Sequence, residues 1–231
     1  HDALPILNLM KSAFGQGNIA MPDTMIRMNS NENPWGPSRA ALRAINAAVE
    51  EANLYTYFLS GEISELIGSQ QNIAPEHISV GAGSSEILKL GGLLASMNEG
   101  SIVVPDPTFE DLPRYAGANG SEVIRVPVND NLETDLEAMA SAVRRDTKLI
   151  YICNPNNPIP SIVEKNALRD FVLEMSRDRM VFVDEAYHEF VDDPEYGTMM
   201  GLVRDGHQNI IVARTASKIH GLAGLRVGFG F

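Results

Sequence analysis

The spacing of apolar residues predicts an alternation of strands and helices from about residue 78 onward. Near-continuous apolar runs between helices are typical of a parallel sheet that is covered on both faces. Because parallel strands are joined by right-handed crossovers, we predict an α/β fold with three α/β/α layers and a mainly parallel sheet. The predicted strands are ISV (78–80), SIVV (101–104), EVIRV (122–126), LIYIC (149–153), MVFVD (180–184), NIIVAR (209–214) and RVGFGF (226–231).

Helical spacing fills the segments between these runs and also marks an earlier segment. The predicted helices cover 84–98, 132–145 and 164–178, and another over 37–53 begins near Ser38, a suitable N-cap residue. A polar, turn-forming loop, NSNENPWGP, precedes that first helix. We therefore predict an N-terminal arm, loop and helix over 1–53 and a large domain over 54–231. The chain stops inside a strand-like run, so we expect that domain to be incomplete at its C-terminus.

Charge and cysteine content exclude several classes of function. A net charge of −12 over 231 residues disfavours nucleic-acid binding, which needs a basic surface. Cys153 is the single cysteine, so neither an intrachain disulfide nor a cysteine zinc motif is possible, and without HExxH spacing no metal site is predicted. No apolar run approaches the roughly 18 residues of a membrane span. We expect a cytoplasmic protein, with an exported form left open because the chain begins with His1 rather than Met.

Polar segments follow five of the predicted strands. They are GAGSSE (81–86), PDPTFE (105–110), NPNNPIPS (154–161), DEAYHEF (184–190) and TASK (215–218). In open parallel sheets, ligands bind beyond the carboxyl ends of the strands. We therefore expect these five segments to converge on one crevice.

The side chains in these segments offer complementary chemistry. Asp184 follows an apolar run, so its partly desolvated carboxylate needs a cation or a donor, and Tyr187 is near enough to face the same crevice. Lys218 offers an amine that could form a Schiff base, and Phe109 offers a ring for stacking. A glycine-rich turn leading into a helix suits an anion. The residues that could together receive a phosphate are Ser84, Ser85, Thr215, Ser217 and Arg226.

These groups match one cofactor, pyridoxal 5'-phosphate, which carries an aldehyde, a phenolic oxygen, a ring nitrogen and a phosphate. Six motifs also occur in the order of a known family: NENPWGP, GAGSSEIL, VPDPTF, NPNNP, DEAYHEF and RTASKIHGLAGLRVG. The sequence resembles the fold-type I, class I/II aminotransferases that use pyridoxal phosphate, and most closely their histidinol-phosphate aminotransferase-like branch. That family normally has a smaller C-terminal domain, which is apparently missing from this chain.

The resemblance implies a role for each matching residue around the cofactor. Lys218 would bind the cofactor's aldehyde and later shuttle a proton, and Asp184 would pair with the pyridinium nitrogen. Tyr187 and Asn157 would hydrogen-bond the phenolic oxygen, and Phe109 would stack on the ring. The phosphate would be held by Ser84, Ser85, Ser217 and Arg226, with Thr215 close by.

Two further residues are implied at the substrate and at a second subunit. Tyr55 matches a tyrosine that reaches the phosphate of the neighbouring subunit, which implies a homodimer with shared active sites. Asn33 lies in the loop that would cover the substrate. The implied reaction transfers an amino group between histidinol phosphate or an aromatic amino acid and a 2-oxo acid such as 2-oxoglutarate, with neither nucleic acid nor membrane as a partner.

One departure and two alternatives accompany this interpretation. Ile159-Pro160 stands where the family usually has Thr-Gly, which removes a hydroxyl and stiffens the turn beside the ring. A decarboxylase, lyase or racemase with the same cofactor is one alternative, because the group that selects the bond to be broken is not assignable here. A Rossmann-type binding domain without pyridoxal phosphate is the other. It fits less well, because GAGSSE lacks the third glycine of the dinucleotide fingerprint and Lys218 would have no role.

Overall fold

The computed structural model describes residues 28–55, 59–97 and 99–231. The chain divides into two compact units, His1–Asn31 and Glu32–Phe231, and the fold below is that of the second unit. The predicted domain boundary after residue 53 stays a prediction. None of the helices in the described ranges is both long and apolar enough to cross a bilayer.

A seven-stranded sheet forms the centre of this unit, in the order β1-β7-β6-β5-β4-β2-β3. All seven predicted strands are present, so the predicted α/β fold with a mainly parallel sheet is confirmed. The strands are β1 (Ser79–Ala82), β2 (Ser101–Asp106), β3 (Glu122–Pro127), β4 (Thr147–Cys153), β5 (Met180–Asp184), β6 (Ile210–Thr215) and β7 (Val227–Gly230).

Strand β7 is the antiparallel member of the sheet, since it pairs antiparallel with both β1 and β6. The pairs between β2 and β3, β2 and β4, β4 and β5, and β5 and β6 are parallel. Two reversals across β7 leave β1 pointing in the same direction as β6. The carboxyl ends of β1, β2, β4, β5 and β6 therefore lie at one edge of the sheet, together with the start of β7.

The described residues form seven α-helices, of which four match the predicted segments. Ser38 caps the first of them as predicted, because its Oγ accepts the N–H of Ala41 at 3.1 Å. The helix predicted over 132–145 is shorter than expected, because it begins only after Asp135, whose carboxylate accepts the N–H of Ala138. The helices are α1 (Arg39–Val49), α2 (Leu59–Gln71), α3 (Ser84–Ser96), α4 (Asp111–Ala118), α5 (Leu136–Ala142), α6 (Lys165–Met175) and α7 (Met200–Arg204).

Helices α2, α4 and α7 were not predicted from the sequence. Helix α4 contains Pro113 and Gly117, which have low helix propensity. It forms because Leu112 and Ala116 are fully buried in the core beside α3. Tertiary packing therefore decides this helix, against its local propensity.

The core consists of two clusters of buried side chains, one on each face of the sheet. Phe182 and Tyr151 belong to the cluster beneath α3 and α4, whereas Val183 and Ile150 belong to the cluster that includes α5, α6 and α7 residues. Neighbouring residues of one strand thus point to opposite faces, as the pleat requires. Each fully buried large apolar side chain contributes about 1.5–3 kcal/mol relative to exposure. Helices on both faces complete the predicted three layers.

Candidate active site

Asp184 is a buried carboxylate at the carboxyl end of β5, and only 2% of the residue is exposed. One carboxylate oxygen accepts the backbone N–H of Ala186 at 3.1 Å, and the other accepts the hydroxyl of Tyr151 at 3.3 Å. Burial raises the pKa of the Asp184 carboxyl to about 6, although these two donors oppose the shift. No lysine, arginine or histidine in the described part of the chain pairs with it. A ligand with a positive charge at this position would relieve the cost of burial.

Tyr151 was missed as a site residue because the sequence analysis treated it as one more apolar residue of a buried strand. Its side chain is fully buried in β4, and its hydroxyl donates to Asp184 from the neighbouring strand. Burial raises the pKa of the Tyr151 phenol, which therefore stays a proton donor. A signal was available, because a buried tyrosine hydroxyl usually finds a hydrogen-bond partner.

Lys218 and Tyr187 lie together at the same edge of the sheet. The Nζ atom of Lys218 is 5.3 Å from the centroid of the Tyr187 ring, within the range of a cation–π interaction. Tyr187 directly precedes a 3-10 turn (His188–Phe190) three residues after Asp184, and Lys218 lies three residues beyond β6. Because β5 and β6 are adjacent parallel strands, the segments that carry Asp184, Tyr187 and Lys218 leave the sheet side by side.

Arg226 lies against the amino terminus of α3, and Gly83 makes this approach possible. Gly83 is the N-cap of α3 with φ +78°, and a Cβ there would collide with Nη2 of Arg226 and lie 2.7 Å from its Cζ. Arg226 itself has left-handed backbone angles, φ 55° and ψ 63°, at the turn into β7. The arrangement directs a guanidinium toward a helix end that carries partial positive charge. Two positive ends that face each other suit an anion.

Hydroxyl groups and backbone amides complete this positively charged corner. Ser217 Oγ accepts a hydrogen bond from Nη1 of Arg226 at 3.3 Å and another from Oγ1 of Thr215 at 2.9 Å. Ser84 and Ser85 are the first two residues of α3, where backbone N–H groups lack intrahelical acceptors. A side chain at Gly228 would fill this space, because its Cβ would collide with the backbone nitrogen of Ser84. The five predicted phosphate residues therefore lie at one end of the sheet edge.

The loop after β4 is attached to the loop after β2 through Asn156, which the sequence analysis did not single out. Oδ1 of Asn156 accepts the hydroxyl of Thr108 at 3.2 Å, and Nδ2 donates to the carbonyl of Pro107 at 3.1 Å. These bonds fix the segment that carries Phe109, which is half-buried and packs against the same core cluster as Tyr151. Asn157 follows directly and is half-buried. Asn156 thus holds both predicted ring-contacting residues at the edge.

Asn33 and Tyr55 occupy different surroundings. Nδ2 of Asn33 donates to the carbonyl of Ile219 at 2.9 Å, so the N-terminal loop is attached directly beside Lys218. Tyr55 is 85% exposed. Its predicted role involves a neighbouring subunit, and the large exposed area leaves its ring accessible to one.

A buried ion pair lies on the other side of β5. Glu185 is 1% exposed, and its carboxylate accepts hydrogen bonds from Nε and Nη2 of Arg214 at 3.1 and 2.9 Å. The hydroxyl of Thr198 and the N–H of Met199 also donate to it. Arg214 is in β6, so this pair fixes the segment after β5 against the strand that leads to Lys218. The sequence analysis missed this pair.

Comparisons with known proteins agree with this geometry. The family model described as aminotransferase class I and II matches residues 23–231. This chain belongs to that family. The predicted family is therefore confirmed, and so is pyridoxal 5'-phosphate as the family's cofactor. Within the described residues, no group of three or more histidine, cysteine, aspartate or glutamate side chains could hold a metal ion.

Several relatives and solved structures in the family are similar to this chain. A histidinol-phosphate aminotransferase from Moorella thermoacetica is 40% identical over 209 residues, which cover 89% of this chain and 53% of the relative. An aromatic amino acid aminotransferase from Mycolicibacterium vanbaalenii is 38% identical over 204 residues, or 88% of this chain and 58% of the relative. The crystal structure of a putative histidinol-phosphate aminotransferase from Erwinia carotovora atroseptica superposes with a TM-score of 0.83 at 33% identity, covering 89% of this chain and 60% of that one.

A further structure was solved with the cofactor. Histidinol-phosphate aminotransferase from Sinorhizobium meliloti, in complex with pyridoxal 5'-phosphate, superposes with a TM-score of 0.81 at 26% identity. The match covers 87% of this chain and 54% of that one. The chain thus spans between half and three fifths of the length of these relatives.

Proposed function

We propose that the complete protein is a transaminase that uses pyridoxal phosphate and exchanges an amino group between an amino donor and a 2-oxo acid. Histidinol phosphate or an aromatic amino acid is the proposed donor, and 2-oxoglutarate is the proposed acceptor. The observation that carries this proposal is an arrangement at one sheet edge of three features: a buried carboxylate that has no cation among the described residues, a lysine amine beside a tyrosine, and an anion-binding corner. The similarity to both kinds of relative supports the choice of donors.

The anion-binding corner fits the phosphate of the cofactor. Arg226, Ser217 and the amide end of α3 provide charged and neutral donors around one space, which glycines at positions 83 and 228 leave open. Charge-assisted hydrogen bonds from a guanidinium to an oxyanion are about twice as strong as neutral ones. We assign the phosphate to Ser84, Ser85, Thr215, Ser217 and Arg226.

Asp184 fits the ring nitrogen. When bound, the cofactor supplies an electron sink for the electron pair that remains at the substrate's Cα when a bond there breaks. Asp184 would hold the proton on the ring nitrogen, and the positive charge there would in turn lower the pKa of its carboxyl. Tyr151 orients the Asp184 carboxylate through their hydrogen bond. Phe109 would stack against the ring and exclude water from it.

Lys218 is the proposed point of covalent attachment and the proton-transfer group. Its amine would bind the aldehyde carbon of the cofactor and, once displaced by the substrate amine, would move a proton at the substrate's Cα. General-base catalysis of this kind gives about 10²–10⁴-fold acceleration. The Tyr187 ring lies beside the amine and keeps it at the sheet edge, while the Tyr187 hydroxyl and Asn157 would donate to the phenolic oxygen.

The residues at the substrate and at the subunit interface are proposed from fewer observations. Asn33 anchors its loop to the carbonyl of Ile219, which places that loop beside the reacting lysine, where a substrate would enter. Ile159 and Pro160 replace the usual Thr-Gly, and a changed donor preference is the expected consequence. We assign Tyr55 to the phosphate of a neighbouring subunit in a homodimer.

A free, buried Cys153 fits the proposed cytoplasmic location, where thiols stay reduced.

Covalent capture of the cofactor tests the site in this chain alone. The 231-residue chain is incubated with pyridoxal phosphate and treated with borohydride, and the modified peptide is identified by mass spectrometry. We expect one stable adduct, on Lys218, together with loss of visible absorbance. The matched control is Lys89→Ala, which removes an exposed lysine of α3 and should leave the adduct unchanged, whereas Lys218→Ala should abolish it. An adduct distributed over surface lysines would contradict the assignment.

The reaction is tested with the full-length protein. A panel of amino donors with 2-oxoglutarate should give glutamate, with histidinol phosphate or an aromatic amino acid as the best donor. Release of carbon dioxide, ammonia or the D-isomer without glutamate would instead favour decarboxylation, elimination or racemisation. Such a result would retain the cofactor assignment and overturn the proposed reaction.

A further inference from the structure

A second pocket opens at the opposite edge of the sheet, where β4 and β5 begin. It has a volume of about 420 Å³ and is partly open to solvent. Thr147 and Met180 are the first residues of β4 and β5, and Asn209 directly precedes β6. The lining residues are Leu94, Ala95, Arg145, Thr147, Lys148, Asp178, Arg179, Met180 and Asn209. Because β5 is five residues long, about 13 Å of strand separates this pocket from Asp184.

The charges around this pocket are mainly positive in a strongly acidic chain. Arg145, Lys148 and Arg179 line it, with Asp178 as the single carboxylate in the lining. Within 28–55, 59–97 and 99–231, none of these three cations forms an ion pair. The arginines that do form one are Arg125, Arg144, Arg169 and Arg214. A concave site with cations that are not neutralised attracts anions, even when the net charge is −12.

Arg179 is held at the pocket wall by the protein. Its Nη2 donates to the carbonyl of Arg144 at 3.4 Å, which fixes the guanidinium at the pocket wall. Its Nε is buried and has no hydrogen-bond partner among the described residues. Buried donors are nearly always paired, so this N–H is an exception within the described residues. Because Nε has almost no accessible surface, a bound oxyanion would reach this guanidinium through Nη1, which forms no hydrogen bond within the described residues.

The pocket walls are fixed by hydrogen bonds that do not use its cations. The hydroxyls of Thr147 and Ser101 pair at 3.0 Å, and Thr147 also accepts the N–H of Arg144. Nδ2 of Asn209 donates to the carbonyl of Ser176 at 2.9 Å. Lys148 lies in β4, and Arg145 and Arg179 lie within two residues before β4 and β5, so binding would not require the backbone to reorganise.

We propose that this pocket binds a small organic phosphate, with its phosphate held by Arg145, Lys148 and Arg179. Guanidinium groups match the geometry of phosphate oxygens, and a lysine adds a point charge. Leu94, Ala95 and Met180 supply apolar surface for the organic part of the ligand. The proposal concerns a site at the opposite end of the strands and does not depend on the proposed function.

Calorimetric titration with phenyl phosphate and with inorganic phosphate tests the proposal. Because the phosphate corner at Arg226 would also take these probes, the titrations are made on the Arg226→Gln chain. We expect one saturable site, with phenyl phosphate bound more tightly than inorganic phosphate. Absence of saturable binding by the folded Arg226→Gln chain would overturn the proposal.

Variants that remove positive charges locate the site. Arg145→Gln combined with Lys148→Gln changes two exposed side chains and should weaken phenyl phosphate at least tenfold, with an unchanged circular dichroism spectrum. Arg179→Gln is a second variant and should produce a similar loss. The control, Arg169→Gln, removes a positive charge on the exposed side of α6 and should leave the affinity within twofold. Equal weakening by the control, or no weakening by either pocket variant, would show that the pocket is not the binding site.

Discussion

Asp184 and Glu185 are neighbours in sequence, and both are almost completely buried, but their surroundings on the two faces of the sheet differ. Glu185 has a complete set of partners, with Arg214 as the cation and two further donors. Asp184 accepts two hydrogen bonds from neutral donors and has no cation among the described residues. Isolated buried charges are costly, so a carboxylate without a cation is retained where a ligand supplies one. We therefore infer a structural role for Glu185 and a ligand-binding role for Asp184.

The largest expected effect is on the free energy of unfolding when Arg214, the cation partner of Glu185, is replaced. Arg214→Met should lower the free energy of unfolding by about 3–5 kcal/mol, because it leaves the buried Glu185 carboxylate without its cation. Urea denaturation of the 231-residue chain measures this. Arg214→Met combined with Glu185→Leu should recover much of the loss, since neither position of the former pair then carries a charge. If Arg214→Met alone unfolds no more easily than Arg169→Met, the pair has no structural role.

Replacing Asp184 is expected to have a smaller effect on the free energy of unfolding. This effect has the opposite sign and depends on pH. The folded-state pKa of about 6 lies above the ordinary value of 3.8, so the unfolded chain loses this proton first as pH rises. Wild-type stability therefore contains a contribution from this group that is present below pH 4 and is lost as pH rises to 6. The contribution is about 3 kcal/mol at 1.36 kcal/mol per pKa unit. Asp184→Asn lacks this titration and should gain stability relative to wild type over the same pH interval.

Thermal or urea unfolding of both proteins between pH 4 and 7 checks this expectation. The difference between variant and wild type is the relevant quantity, because the other carboxylates titrate equally in both. Saturating pyridoxal phosphate should reverse the advantage of Asp184→Asn at pH 7, since the bound ring nitrogen supplies the missing charge. A variant whose stability parallels that of wild type at every pH would mean that Asp184 is already compensated by a group in the protein.

The contrast between the two carboxylates also shows what a sequence can predict. Asp184 and Lys218 were predicted because each lies in a short motif just after an apolar run, and parallel strands bring such ends together. The strands were predicted for the same reason, since their signal is local. The Glu185–Arg214 pair and the Asn156–Thr108 bond were missed because their partners are 29 and 48 residues apart. Nothing in the spacing of apolar residues specifies which distant side chains will meet.

The smallest expected effect is at Tyr151, whose buried hydroxyl donates to the Asp184 carboxylate. Tyr151→Phe keeps the ring that packs near Phe182, at 6.1 Å between centroids, and removes only the hydroxyl that donates to Asp184. We expect a loss of about 1 kcal/mol in unfolding free energy above pH 6, where Asp184 is ionised. The pKa of Asp184 should rise further, because the lost hydrogen bond favours its charged form. In the Tyr151→Phe background, the stability gained through Asp184→Asn should therefore reach half of its full value at a higher pH. An unchanged midpoint would mean that Tyr151 serves packing alone, and the distinction between the two faces would then rest on Asp184 and the N–H of Ala186.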